Sequence, residues 1–259
     1  MAADAWIDAR VVDQRRWSDG LYSIEIAAGA VDFEAGQFTR LALPIDGQLV
    51  ARPYSFVNAP GEDHCEFYYG VVPGGPLTAR LPQLAPGDTL RVSRQPSGFM
   101  VLSELPDAEQ LWLISTGTGI GPFLSILATP APWQRFGRVV LAHGVRQRSE
   151  LVYAERIAAL RTQHGERFRF IPLLSRDRVE GPASAAGAAA LAGRVTQALA
   201  DGGLEHAAGL ELSAAPGRAQ VMLCGNPAMV SEATELLKGR GMKKHRRRDP
   251  GQITVENYW

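Results

Sequence analysis

Near residue 108 the chain changes its hydrophobic grammar, and that change limits the folds open to it. Before it, apolar residues come in short runs: "LYSIEIA", "GQFTRLAL", "YSFVNA", "CEFYYGVV" and "DTLRVSR". Aromatic and β-branched residues dominate these runs, and Gly, Pro and Asp punctuate them at regular intervals. That pattern predicts an antiparallel β-barrel or sandwich over residues 6 to about 100. "LAPGDTL" is a turn by chemistry, because Pro86 presets φ and Gly87 tolerates a positive φ. After residue 108, "QLWLIST", "RVVLAHGV", "FRFIPLLS" and "QVMLCG" are continuous apolar runs, as strands buried on both faces require. "FLSILAT", "LVYAERIAALRTQ", "RVTQALAD" and "AMVSEATELLKG" read as helices between and after them. Strands alternating with helices imply a doubly wound parallel sheet. The expected organisation is therefore a β-barrel domain over residues 1–102 and an α/β domain over 103–259, joined by "VLSELPDAE". "RVEGPASAAGAAALAG" reads as an inserted surface loop, part helical or not, and no internal repeat is present.

A chain of 259 residues with 46% hydrophobic and 21% charged content can build two ordinary domains with real cores. No apolar run approaches the ~20 residues needed to span a bilayer. Asp4, Asp8 and Asp13 stand where a signal peptide needs a basic start and an apolar centre. The expectation is a soluble, cytoplasmic protein. Cys65 and Cys224 are far apart and form no CxxC pattern. That argues against a disulfide scaffold, a zinc site and a cysteine-ligated iron–sulfur cluster. Net charge is zero, yet "KGRGMKKHRRR" (238–248) holds seven cations and no acid, leaving 20 basic against 27 acidic residues elsewhere. The run is either a solvated helix end or a patch that steers an acidic partner. No aromatic residue interleaves it, so a base-stacking platform for nucleic acid is not expected.

Five short segments carry candidate chemistry. In "RPYSF", Arg52 and Tyr54 would share one face of a strand and Ser55 the other. Such a cluster can hold a flat anionic ligand by a charge, a ring and a hydroxyl. The bland alternative is a barrel strand with an exposed arginine. In "PGGPLTARL", Thr78 would cap a short helix whose free N–H groups favour phosphate, or the segment is a plain turn. "LWLISTGTGIGPFLSIL" runs from a buried strand through Gly117, Gly119 and Gly121 into a helix, the context in which glycines admit a pyrophosphate. Its spacing is not GxGxxG. Arg146, Ser175, Arg176 and Arg194 follow later strands, where doubly wound folds bind ligands. Arginines there suit a 2′-phosphate, hence NADP rather than NAD, although each alone could be a surface residue. In "MLCGNPAMV", Cys224 is either a small buried hydrophobe or a soft contact for a nicotinamide, with no Cys–His catalytic pair in view.

Taken in order, "RPYS", "TGTGIGP", "SRD", "CGNPAMV" and the ending "ENYW" resemble the ferredoxin–NADP⁺ reductases of bacterial type, and the ending is similar to their enterobacterial-type subclass. The resemblance spans essentially the whole chain. It implies an FAD-binding barrel followed by an NADP(H)-binding α/β domain. Carried over, Arg52 and Pro53 lie at the FAD phosphates, Tyr54 stacks on the isoalloxazine, and Ser55 hydrogen-bonds near N5. Tyr68, Tyr69 and Gly70 run along the flavin, and Pro76, Leu77 and Thr78 meet its pyrophosphate. Thr118 and Gly119 face FAD or NADP phosphates. Arg146, Ser175, Arg176 and Arg194 hold the NADP phosphates. Cys224 and Glu256 help orient the nicotinamide or relay protons, and Gly225 lies with Cys224 among the NADP contacts. Tyr258 covers the flavin face where nicotinamide arrives, and Trp259 covers the adenine of a bent FAD, so the two terminal rings form a displaceable lid. Ser55, Cys224, Glu256 and Tyr258 form the implied catalytic set.

The implied activity is hydride transfer between NADPH and FAD, with single electrons exchanged with an acidic ferredoxin or flavodoxin that meets the basic run. A monomer is expected. The alternative on the same frame is a flavin or quinone reductase, or the reductase component of an oxygenase.

Overall fold

A computed structural model describes residues 5–27, 31–178 and 188–257. Tyr258, Trp259 and most of the Ala/Gly-rich insertion therefore lie outside the described residues. The chain divides into two compact units. Among the described residues, the first takes those up to 101 with Gly121–Thr129, and the second takes Leu102–Ile120 and residues 130–257.

The first unit is a six-stranded antiparallel sheet of β1 (Trp6–Ser18), β2 (Leu21–Ala27), β3 (Phe38–Ile45), β4 (Gln48–Ser55), β5 (Cys65–Gly70) and β6 (Thr89–Ser93). Its order is β4-β3-β6-β1-β2-β5. The two edge strands meet where Phe56 bridges Phe67 and the Val57 N–H donates to the Glu66 carbonyl at 2.9 Å. That contact closes the sheet into a barrel. The pleat sorts the side chains: Cys65, Phe67 and Tyr69 enter the core with Tyr54, Phe56, Leu41 and Ile24. Phe33 stacks on Phe56 with ring centres 3.8 Å apart. Pro53 falls on β4, an edge strand, where its missing N–H costs no ladder bond. β1 alternates Ala9 and Val11 inward with Asp8 and Arg10 outward, then shifts register between Val11 and Asp13. Such a bulge twists the strand so that it can serve both β2 and β6.

The second unit is a six-stranded sheet of β7 (Gln110–Thr116), β8 (Arg138–Val145), β9 (Phe168–Leu174), β10 (Leu191–Ala192), β11 (Ala219–Gly225) and β12 (Ile253–Asn257), all parallel. Among the described residues, six α-helices accompany the strands in sequence: α1 (Gly121–Leu127), α2 (Ala131–Arg135), α3 (Ala154–His164), α4 (Val195–Ala200), α5 (Gly203–Ala208) and α6 (Pro227–Gly239). By the division above, α1 groups with the first unit. The order β10-β9-β8-β7-β11-β12 places the later strands on the far side of β7. The winding therefore reverses between β7 and β11, the point where doubly wound sheets open a ligand crevice. Trp112, Ile114, Val140, Ala142 and Leu223 pack on one face against Leu199, Leu204, Ala233 and Leu237 of α4–α6. Asn226 caps α6 by accepting from Ala228 N–H at 2.9 Å, and Pro227 occupies the first turn. Among the described residues no helix is long and apolar enough to cross a membrane.

Candidate active site

The first cluster sits at the end of β4. Register places Ser55 opposite Phe38, Tyr54 opposite Thr39 and Arg52 opposite Leu41. Arg52 and Pro53 are exposed, while Tyr54 and Ser55 are buried. The Arg52 guanidinium bonds to its neighbouring Ala51 carbonyl at 2.7 Å and has no ion-pair partner among the described residues. Tyr54 meets Tyr69 edge-on at 6.1 Å, and Tyr22 stacks on Tyr69 at 5.8 Å. Burial raises both the Tyr54 and Tyr69 phenols above the ordinary tyrosine range. Arg52 pulls Tyr54 back slightly, and neighbouring Tyr54 and Tyr22 push Tyr69 further. Both rings are therefore neutral at any physiological pH. Tyr68 is buried on the opposite face of β5 from Tyr69, and Gly70 ends that strand.

The loop after β5 is held by Thr78. Its hydroxyl accepts from the Val72 N–H at 3.1 Å. Gly75 is required here, since a Cβ would come within 2.6 Å of Thr78 Oγ1 and 3.0 Å of the Val72 carbonyl. Thr78 does not cap a helix, as the sequence led us to expect; residues 76–80 form successive turns, and a 3-10 turn follows only at Leu81–Gln83. Thr78 is spent on closing its own loop, which leaves Pro76 exposed at the loop's tip and Leu77 anchored in the barrel core.

The second cluster lies at the carboxyl ends of β7 and β11. Gly117–Ile120, which includes Thr118, forms a 3-10 turn after β7. A Cβ on Gly119 would lie 2.5 Å from the Cys224 carbonyl oxygen, and one on Gly225 would lie 2.4 Å from Thr116 Oγ1. Gly225 also holds φ +133°, a region that side chains rarely adopt. Thr116 Oγ1 accepts from the Asn226 N–H at 3.0 Å. The two loops are thus clasped with no room for a methyl group. Above Gly117 the reverse holds: a Cβ there would meet nothing within 4 Å.

Strand register then lines up four polar residues. His143 pairs with Ser115, Ser115 with Cys224, and Cys224 with Glu256. Ser115, Cys224 and His143 are fully buried or nearly so, and Glu256 is half-buried. The reading from residue types found Cys224 and the resemblance supplied Glu256, but Ser115 and His143 escaped both. The available signal was a serine directly before "TGTG" and a histidine inside the apolar run "VVLAHGV".

The third cluster gathers the cations. Ser175 N–H and Oγ both donate to the Val145 carbonyl, and Arg176 N–H donates to the Arg146 carbonyl at 2.9 Å. After the insertion, Gly193 N–H donates to the Leu174 carbonyl at 2.9 Å, which returns Arg194 to the same strand end. Arg146, Ser175, Arg176 and Arg194 are therefore together at the carboxyl ends of β8 and β9. They differ in charge balance. Arg146 is paired with Glu150 at 2.9 Å, whereas Arg176 and Arg194 have no ion-pair partner among the described residues.

Residues 20–100 match the family described as "Oxidoreductase FAD-binding domain", and residues 113–235 match "Oxidoreductase NAD-binding domain". The chain is 42% identical to a flavodoxin/ferredoxin–NADP reductase of Shigella flexneri, over 98% of this chain and 99% of the relative. It is 35% identical to a ferredoxin–NADP reductase of Pseudomonas aeruginosa, over 95% of both. A crystal structure of a ferredoxin NADP⁺ reductase from Neisseria gonorrhoeae, with bound FAD and NADP, superposes with a TM-score of 0.90 at 32% identity. It covers 98% of this chain and 99% of that one. The chain belongs to the bacterial flavodoxin/ferredoxin–NADP reductase family.

As a member of that family it is an FAD- and NADP(H)-dependent oxidoreductase, and its residues fit both groups. On the FAD side, the barrel offers an unneutralised arginine, a buried serine hydroxyl, and a Tyr69 phenol oxygen that is buried without a partner. On the NADP(H) side, the reductase fold offers two unneutralised arginines at a strand end and open space above Gly117. The basic run is less basic than its sequence. Lys238 pairs with Glu235, Arg240 with Glu205, Lys243 with Asp249, and Arg247 with Glu104. The Arg247 guanidinium beside Glu104 holds that carboxyl below the usual carboxylate range. Only Lys244, Arg246 and Arg248 have no ion-pair partner among the described residues.

Proposed function

We propose that this protein is a ferredoxin–NADP⁺ reductase that passes reducing equivalents between NADPH and an acidic ferredoxin or flavodoxin. The whole-length likeness to reductases bearing those names supports the carrier class. A bound flavin takes a hydride and gives up electrons singly, chemistry that no side chain can supply. The chain's own residues bind, orient and neutralise. Arg52 meets the diphosphate charge of FAD with its unpaired guanidinium. Tyr54 and Tyr69 are the uncharged rings of the flavin site, and Tyr68 borders the flavin from the other face of β5. Ser55 directs a hydroxyl at the polar edge of the ring. Thr78 fixes the loop whose Pro76 and Leu77 border the diphosphate. Thr118 and the open turn at Gly117 give the NADP phosphates backbone room, and Gly119 and Gly225 border them by clasping the two loops together.

Arg176 and Arg194, with Ser175 between their strand ends, hold the 2′-phosphate, and Arg146 assists while sharing its charge with Glu150. That pair of unneutralised arginines is the observation that carries the choice of NADP(H) over NAD(H). Cys224 and Glu256 orient the nicotinamide, and Tyr258 and Trp259 form the displaceable aromatic cover. Residues 1–102 make up the FAD domain and 103–259 the NADP domain.

Anaerobic titration of the purified protein tests the reading. About one equivalent of NADPH should bleach the flavin bands rapidly and NADH should do so slowly, after which reduced protein should reduce a ferredoxin or flavodoxin. Equal rates with both coenzymes would overturn the arginine assignment. Turnover with free flavin or quinone and none with either carrier would overturn the carrier.

A further inference from the structure

Asp177 ends the "SRD" segment and has no part in the function above, although it follows Arg176 directly in the chain. On charge alone it is out of place. A carboxylate beside a cradle for phosphate repels the ligand, and this one has no ion-pair partner among the described residues to offset it.

The backbone supplies a reason for it. The last paired residues of β8 and β9 are Val145 and Leu174. Two bonds continue the pairing past the sheet, from the Ser175 N–H to the Val145 carbonyl at 3.0 Å and from the Arg176 N–H to the Arg146 carbonyl at 2.9 Å. There the two chains part, because Arg148–Glu150 coils into a 3-10 turn. The first N–H of a helical turn has no partner within the turn, and the side chain of the preceding residue is its usual acceptor. Gln147 holds that place and makes no capping bond. Asp177 caps the turn from the other strand end instead: its carboxylate accepts from the Arg148 N–H at 2.6 Å, a short bond to a charged acceptor.

The same turn ends on Glu150. Its carboxylate accepts from the Arg146 backbone N–H and from Arg146 Nε, each at 3.0 Å, and lies 2.9 Å from a terminal guanidinium nitrogen. The Glu150 side chain is 12% exposed and that of Arg146 59%, so the acid is the anchored member of the pair and the arginine the presented one. Asp177 therefore holds the start of a turn whose end aims Arg146, while its own backbone continues from Arg176.

We propose that Asp177 is a positioning residue for the 2′-phosphate of the coenzyme: by capping the Arg148–Glu150 turn across the strand ends, it sets Arg146 and Arg176 at the spacing that grips the phosphate. The effect on the coenzyme, though not the cap itself, rests on the reading that places the 2′-phosphate at these arginines. Capping and repulsion act in opposite directions, so the sign of a substitution decides between them.

Amide hydrogen exchange at Arg148 in the holoenzyme, followed by NMR, reads the cap without any coenzyme. Exchange should be about tenfold faster in Asp177→Ala and close to native in Asp177→Asn, which keeps an acceptor oxygen. Calorimetric titration with adenosine 2′-monophosphate and adenosine 5′-monophosphate reads the consequence. Asp177→Ala should weaken binding of the 2′-phosphate about fivefold and leave the 5′-phosphate within about twofold. Asp177→Asn should bind the 2′-phosphate at least as tightly as the native protein, because it keeps the cap and drops the charge. In an Arg146→Ala background the loss caused by Asp177→Ala should shrink, since the turn no longer has that arginine to aim. Tighter binding of the 2′-phosphate by Asp177→Ala overturns the inference, because repulsion alone predicts it. An Arg148 amide that exchanges no faster in Asp177→Ala overturns it too, and so does a loss that stays undiminished without Arg146. A native protein that binds the two monophosphates equally, with the Arg148 amide still protected by Asp177, upholds the cap and overturns the placement of the 2′-phosphate.

Discussion

The two units solve ligand binding in opposite ways. The barrel presents added atoms: Arg52, Tyr54 and Ser55 come in succession from one edge strand, whose exposed stretch gives way to a buried end between Pro53 and Tyr54. The α/β unit presents missing atoms. Gly119 and Gly225 let two loops close on each other at 2.5 Å and 2.4 Å from where a methyl would stand, and Gly117 leaves space above the turn. The difference predicts how each fails. Removing a group from the barrel should weaken one interaction. Adding a group to the α/β crevice should displace a whole loop, because neither clashing partner is the flexible end of a long side chain.

Gly225→Ala is the hardest test of that contrast and should have the largest effect. The substitution forces a side chain into φ +133° and drives it onto Thr116 Oγ1 and the Thr116 carbonyl. Backbone strain and overlap together should cost about 3 kcal/mol or more. We expect a second unit that melts early and turnover with NADPH reduced at least about a hundredfold, while the barrel keeps its flavin absorbance. Preserved turnover would mean that the loops are not clasped. Loss of flavin as well would mean that the units do not fail separately.

Arg176→Ala removes charge from the α/β side without adding bulk. A charge-assisted hydrogen bond is worth about 1.5–3 kcal/mol, so KM for NADPH should rise roughly 10- to 100-fold. KM for NADH, which has no 2′-phosphate, should stay within about twofold. Steady-state assays with both coenzymes decide it, and equal effects would sink the assignment.

How much of this was legible in the sequence follows the same division. β7 and β8 could be read to the residue because they are buried on both faces and their apolar runs are unbroken. β1, the longest strand, was missed. Its outward residues are charged, and the bulge after Val11 breaks the period of two. "ITVEN" is not among the runs read as strands, yet register with β11 makes it the last strand of the sheet and carries Glu256 to Cys224. The glycine loops were legible because absent side chains leave a signature. Arg194 was grouped with Arg176 from its place after a later strand and from the resemblance, but what returns it past the long insertion, one backbone bond from Gly193 to Leu174, has no signature in the sequence. Ser115 and His143 were hidden by their apolar surroundings, and only pairing across strands brings them into view. Nor could the sequence show which cations in 238–248 are already neutralised, because Glu104 and Glu205 are distant in the chain.

On the barrel side, Ser55→Ala should give a smaller loss than either α/β substitution. It removes a buried hydroxyl from the outward face of β4 and leaves Arg52 and the tyrosines in place. Flavin content should be normal, and the rate of flavin reduction by NADPH in stopped flow should fall about tenfold, as expected for one hydrogen bond made in the transition state. An unchanged rate would remove Ser55 from the catalytic set. Loss of flavin would make it a binding residue instead.

The smallest effect belongs to the basic run, which lies outside the contrast and sharpens it by touching neither cofactor. Reversing Lys243 or Arg247 is a poor test, because each would set an acid against an acid it now neutralises, Asp249 or Glu104. Lys244, Arg246 and Arg248 are exposed and have no such partner among the described residues, so they are the charges available to steer an acidic carrier. Reversing these three to Glu should slow reduction of a ferredoxin or flavodoxin on the order of fivefold at low salt, through the association rate. The deficit should vanish at high salt, where the screening length falls towards about 3 Å at 1 M. A small ferricyanide-type acceptor, which needs no docking, should be reduced at the native rate. If that acceptor is slowed as well, the reversal has disturbed the neighbouring β12 and not a docking surface. If neither acceptor is slowed, the run is a solvated chain segment and the carrier docks elsewhere.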